Sequence, residues 1–305
     1  MDQFYFSAKK SNLSFYQAVP LYFQNKKRKF ILYKPAGTVL NNIRIEQGQL
    51  PEKLFIKRSD ELKSIREVQN AFNQELKKDI KSNNPVKIKE TIINIVEETF
   101  SMPISGSIEG LSTTVNILVS EYTKESNLIK KLLFVPHDKY SPVLHSVNVM
   151  ALAVGFSFHE QFSLAERKIL GLSALVHDVG KTKINTNILN APNRLDDEEF
   201  KELQTHATIG YQIIGKCKFA NPDIKITALQ HHERIDGSGY PNELRRISRI
   251  AQIVGIIDCY EALTNDERPY RSAMDSLKAL TVLKDDTEAG KFSKKIFEKF
   301  AYSLM

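Results

Sequence analysis

The chain has 305 residues, 42% hydrophobic and 26% charged, ordinary values for a folded protein and not for a disordered one. It contains no run of about 18 apolar residues, so no membrane-spanning helix is expected, and its opening MDQFYFSAKKSN lacks the apolar core of a secretion signal. Two distant cysteines, Cys217 and Cys259, argue against a disulfide framework or a thiolate metal site and fit a reduced cytoplasm, while the net charge of +7 names no ligand.

In chain order, Val19-Pro20-Leu21-Tyr22-Phe23 and Lys29-Phe30-Ile31-Leu32-Tyr33 flank the basic run Lys26-Lys27-Arg28-Lys29, as in a hairpin with a charged tip. A four-residue basic run without interleaved aromatics is weak ground for nucleic-acid binding, which ranks last among the readings. Pro35-Ala36-Gly37 ends the second run, and Lys53-Leu54-Phe55-Ile56-Lys57 is a third strand candidate. From Asp60 the period changes: Leu62, Ile65, Val68, Phe72 and Leu76 recur at helical spacing, and Ile88, Ile92, Ile95 and Val96 resume it after Pro85. Beyond Ser107 the pattern is helix after helix. The expected architecture is mainly α: a small mixed α/β domain over residues 1–62, helical connecting segments over 63–106, and an all-helical domain over 107–305.

Of the seven histidines, His137 and His159 read as isolated residues. The other five occur in segments suited to metal ligation. His177-Asp178 ends the small, apolar helix Leu170–Val176, where burying an imidazole beside a carboxylate is costly unless a cation neutralises both. His231-His232 follows Ile224, Ile226, Ala228 and Leu229, and Asp258 follows the apolar run Ile253–Ile257. Neighbouring helical side chains diverge by about 100°, so each adjacent pair suits two ions better than one, with Asp178 as the bridge. His145, His177, His206, His231, His232, Asp178 and Asp258 then give each ion four protein contacts and leave open positions, as in catalytic sites. Nitrogen and oxygen ligands without sulfur suit iron, manganese or zinc.

The motifs His177-Asp178-Val179-Gly180-Lys181, His231-His232-Glu233 and Asp236-Gly237-Ser238-Gly239-Tyr240-Pro241 resemble the signatures of the HD-GYP family. That family is a branch of the HD-domain metal-dependent phosphohydrolases, whose members hydrolyse cyclic di-GMP. The resemblance runs from His145 to Arg271 and includes Glu198-Glu199-Phe200, Thr205-His206, Ala262-Leu263-Thr264 and Arg268-Pro269-Tyr270-Arg271. It implies an all-helical HD-type domain after a small α/β domain, and two divalent ions with iron the first choice and manganese or zinc as alternatives. One ion falls to His145, His177, Asp178 and Asp258, the other to Asp178, His206, His231 and His232. Lys181 is implied as the contact to the scissile phosphate, beside catalytic Asp178. Asp236, Gly237, Gly239, Tyr240, Arg245, Arg268 and Arg271 are the implied substrate contacts. The Gly239–Pro241 turn is implied as a surface for diguanylate cyclase-type partners, and Glu233 as a group that could orient a histidine.

Two departures refine this expectation. Ser141 stands where three-metal members carry a glutamate, which points to two ions. Asn242-Glu243-Leu244-Arg245-Arg246-Ile247 is shorter than the family's segment and lacks its glycines. The favoured reading is a cyclic di-GMP phosphodiesterase; its rivals are a non-catalytic receptor or adaptor built on the same metal site, and another HD-type phosphohydrolase acting on nucleotides, which would leave the Asp236–Pro241 loop unexplained.

Overall fold

The computed structural model describes residues 3–40, 50–122, 128–133, 135, 141–191, 193–219, 221–264 and 273–305. The chain divides into two compact units, Met1–Lys78 and Asp79–Met305.

The first unit holds a four-stranded antiparallel sheet of β1 (Tyr5–Ser7), β2 (Leu21–Gln24), β3 (Phe30–Lys34) and β4 (Phe55–Lys57), in the order β1-β4-β2-β3. The anticipated hairpin is present: Asn25 Oδ1 accepts from Lys27 N and Lys29 N, and Lys26 to Lys29 form its exposed tip. β1, three residues long, was not anticipated from the sequence. At the end of β3, Lys34 is buried, and its ammonium donates to the carbonyls of Gln17, Pro35 and Thr38. Helix α1 (Glu61–Lys81) begins in this unit. Its Val68 joins the sheet core with Leu13, Tyr16, Leu21 and Ile56, and Glu67 accepts the amides of Gln17 and Ala18.

The second unit is helical: α2 (Pro85–Ser101), α3 (Ser107–Tyr122), α4 (Leu128–Leu133), α5 (Pro142–His159), α6 (Leu164–Val176), α7 (Thr186–Leu189), α8 (Asp197–Gly215), α9 (Asp223–Gln230), α10 (Arg249–Thr264), α11 (Ser276–Glu288) and α12 (Lys294–Ser303). Local chemistry sets several starts. Asn84 and Ser141 cap helices whose first residue is proline, while Ser163 with Glu166 and Asp196 with Glu199 form reciprocal capping boxes. The core pairs are α5 on α6, α6 on α3, α9 on α6 and α8, and α10 on α5.

By length and composition α5 is long and apolar enough to cross a membrane, yet 67% of it is buried inside the unit. It carries His145 inward at 0% exposure, so here it serves as a core helix. A 3-10 turn, Val179–Lys183, follows α6 and lies against α8. That approach requires Gly180, since a Cβ there would sit 2.0 Å from the His206 carbonyl oxygen.

Candidate metal centre

Five elements deliver the histidines and aspartates anticipated from sequence to one place. α5 supplies His145, the end of α6 supplies His177 and Asp178, α8 supplies His206, the end of α9 supplies His231 and His232, and α10 supplies Asp258. Except for His232, whose side chain is 18% exposed, all are buried. Three groupings have ligand atoms within 4.8 Å of one another: Asp178, His206, His231 and His232; His145, His177 and Asp178; and His177, His231 and Asp258.

Asp178 lies between two sets of imidazoles. Its Oδ2 is 3.6 Å from His145 Nε2 and 3.4 Å from His177 Nε2. Its Oδ1 is 3.3 Å from His206 Nε2 and 3.6 Å from His231 Nε2. Asp258 Oδ1 lies 2.9 Å from His145 Nε2, with Oδ2 3.8 Å from His232 Nδ1.

The outer nitrogens show what the inner ones present. His177 Nδ1 meets the Ala174 carbonyl at 2.7 Å, His206 Nδ1 the Leu203 carbonyl at 2.5 Å, and His231 Nδ1 those of Thr227 and Ala228 at 3.1 and 3.0 Å. A carbonyl only accepts, so each Nδ1 carries the proton and each neutral ring turns an Nε2 lone pair inward. Two such lone pairs, on His206 and His231, face each other at 3.4 Å. His177 Nε2 and Asp178 Oδ1 are buried without a hydrogen bond of acceptable geometry. Lone pairs and carboxylates converging in a buried space repel unless a cation lies among them, so this donor set fits divalent metal.

Protonation is consistent with that fit. Burial drives His206 down to about 3, helped by Lys181 and His231 and resisted by Asp178. Burial also pushes His231 and His232 below the usual imidazole range. For Asp178 burial opposes ionisation, but Lys181 and His177 outweigh it and hold the carboxyl well below the ordinary range. Asp258 behaves likewise: burial is overcome, chiefly by His145. At neutral pH His206, His231 and His232 are uncharged and Asp178 and Asp258 ionised, the forms that bind metal.

Two contributors escaped the sequence reading. Glu261 is buried; its Oε2 faces His145 Nδ1 in a short hydrogen bond and its Oε1 accepts from Asn148 Nδ2 at 2.8 Å. The available signal was spacing, for Glu261 follows Asp258 and Asn148 follows His145 by three residues, the interval that shares a helix face. Glu233 requires a correction. It orients no histidine ring: buried, it accepts the amides of Asn242 and Leu244, both at 2.8 Å, and so anchors the segment after Pro241.

Lys181 Nζ stands 2.5 Å from Asp178 Oδ2, at the edge of the centre. The Tyr240 ring stacks on His232 at 4.6 Å, and burial, then Asp258 and Asp178, raises its phenol well above the ordinary value. Gly239 makes this possible, because a Cβ there would lie 2.4 Å from Arg234 N and 2.5 Å from the His232 carbonyl oxygen. Asp236 Oδ1 accepts from Ser238 N and Oγ. Arg245 is exposed, with its guanidinium beside Gly237. His159 is exposed at the end of α5, and Ser141 caps that helix through Leu144 N. His137, Arg268 and Arg271 lie outside the described residues.

The model of the family described as "HD domain" matches residues 127–296, more than half of the chain. The chain belongs to the HD-domain family. Relatives of this HD domain include a cyclic di-GMP phosphodiesterase of Pseudomonas aeruginosa, 34% identical over 171 residues that cover 55% of this chain and 40% of the relative. Another is a 3'3'-cGAMP-specific phosphodiesterase of Vibrio cholerae, 31% identical over 156 residues, 50% of this chain and 36% of the relative. The chain thus spans less than half the length of either. An HDGYP protein from Bdellovibrio bacteriovorus shares the fold with a TM-score of 0.64 at 20% identity, over 98% of this chain and 99% of that one.

Proposed function

We propose that this chain is a metal-dependent phosphodiesterase that opens a cyclic dinucleotide, with cyclic di-GMP the favoured substrate, at a centre for two divalent ions. The observation that carries this reading is the position of Asp178, whose two oxygens each face a different pair of imidazoles. His145, His177, Asp178 and Asp258 would hold one ion, and Asp178, His206, His231 and His232 the other. When bound, such ions supply Lewis-acid polarisation of a phosphoryl group and water activation near neutral pH. The relatives named as phosphodiesterases of cyclic di-GMP and 3'3'-cGAMP support the substrate class.

The remaining roles belong to side chains. Asp178 bridges. Glu261 and four backbone carbonyls fix the orientations of four rings, so ligand geometry is set before substrate arrives. Lys181, held beside Asp178, places an ammonium where charge develops on the phosphoryl oxygens. In the reaction water adds to phosphorus, a ribose oxygen leaves with a proton, and a linear dinucleotide results.

One observation favours the receptor reading. The amides of Asn242 and Leu244, beside the Tyr240-Pro241 turn, are both committed to Glu233 and are not offered to a ligand phosphate. The deciding experiment loads the full chain with iron or manganese, adds cyclic di-GMP and resolves products by chromatography alongside a binding measurement. Linear dinucleotide or GMP supports the enzyme. Tight binding with no turnover under any metal supports the receptor and rejects the enzyme.

A further inference from the structure

A series of aromatic rings leads from the buried cluster to solvent. His231 and His232 lie 4.0 Å apart, His232 and Tyr240 stack at 4.6 Å with planes 29° apart, and Tyr240 meets Phe200 edge-on at 6.1 Å. The inner rings are buried or half-buried, but Phe200 on α8 leaves 45% of its surface exposed. A single exposed phenylalanine is unremarkable by itself. This one differs in its support: its neighbour Tyr240 is pinned against a candidate metal ligand, and the Tyr240 amide donates to the His232 carbonyl at 3.2 Å. The capping box of Asp196 and Glu199 fixes the helical turn immediately before it.

Distance along α8 gives the second clue. Six residues separate Phe200 from His206, about 9 Å of axial rise, comparable to the span between a nucleotide's phosphate and the far edge of its base. A phosphate held at the cluster would therefore carry its base toward the Phe200 ring. Aromatic faces bind bases by stacking, a contact largely indifferent to hydrogen-bond pattern.

Given the phosphodiesterase reading on which this rests, we propose that Phe200, braced by Tyr240, is the platform on which a purine base of the substrate stacks. It is a specificity-determining residue, distinct from the metal ligands. It selects nucleotides over base-free phosphate esters.

The test compares GMP with ribose 5-phosphate, which keeps the sugar and phosphate but lacks the base. Affinities are measured by titration calorimetry on the full chain loaded with manganese. Wild type should prefer GMP. Phe200→Ala should weaken GMP about tenfold, the usual loss for one stacked base, and leave ribose 5-phosphate and bound manganese unchanged. Phe200→Trp should restore GMP binding. Equal weakening of both ligands, an unaffected GMP affinity in the alanine variant, or a wild type without preference for GMP each overturns the platform. Failure of the phosphodiesterase reading is separate: the GMP preference and its loss in Phe200→Ala would persist while cyclic di-GMP goes uncleaved.

Discussion

Glu261 accepts a hydrogen bond from Nδ1 of His145, a residue 116 positions earlier in the chain, while Asn148 donates to its other oxygen. His145 Nε2 lies 2.9 Å from Asp258, so this imidazole is clasped between two carboxylates. Such an arrangement favours a cation between Nε2 and Asp258. The other three inward rings lean on neutral carbonyls, and His145 alone of the four leans on a charged acceptor.

Replacing that acceptor should weaken metal binding without removing a ligand. Glu261→Gln is expected to lower affinity for the ion at His145 by roughly 10- to 100-fold, measured by competition with a chromogenic chelator. Asn148→Ala should follow with a smaller loss. An unchanged affinity in Glu261→Gln would show that His145 needs no orienting carboxylate.

Metal should also stabilise the fold, because it relieves lone-pair and carboxylate repulsion found only in the folded state. Adding manganese at 100 times its dissociation constant should contribute about 2.7 kcal/mol and raise Tm, and a chelator should reverse the shift. In Asp178→Asn the shift should largely vanish. A metal-induced rise of the same size in that variant would remove Asp178 from the ligand set.

Gly180→Ala tests backbone packing. The new Cβ would sit 2.0 Å from the His206 carbonyl oxygen and 2.7 Å from Gly210 N, and main chain yields less readily than a side chain. A loss of roughly 2–4 kcal/mol in urea unfolding is expected, with weaker metal uptake as α8 moves. Gly215→Ala, at the end of α8 with nothing within 4 Å of the added carbon, should stay within about 0.5 kcal/mol of wild type.

Glu233→Ala removes the shared acceptor of Asn242 and Leu244. The expected cost is about 1–3 kcal/mol, with hydrogen exchange of those two amides accelerating more than that of the α10 core. Equal protection before and after substitution would mean that the segment is held by other contacts.

Lys89 provides a pH prediction. It is buried on α2, donates to the Val135 carbonyl at 3.0 Å, and burial, partly offset by Glu261, lowers its pKa from 10.5 to about 8. Below pH 8 the lysine is protonated in both folded and unfolded states and its charge is a constant cost. Between about pH 8 and 10.5 the folded state gives up the proton first, so the unfolded state binds more protons and stability rises with pH. Lys89→Met should therefore lose roughly 2–3 kcal/mol of relative advantage across that window, read from urea midpoints at pH 7, 9 and 10. Parallel pH profiles for the two proteins would contradict the lowered pKa.

Sequence alone determined what depends on local pattern and residue chemistry. The hairpin with its Lys26–Lys29 tip, the succession of helices, and the five histidines and two aspartates of the cluster were all legible, because apolar periodicity and residues costly to bury leave a trace within short windows. Tertiary structure decided which oxygen of Asp178 faces which imidazole, that Glu261 reaches His145 while Glu233 anchors a loop, and that Tyr240 stacks on His232 and meets Phe200 edge-on. Those relationships join residues on different helices. They depend on crossing geometry and on close approaches at Gly180 and Gly239, which no local window of sequence encodes.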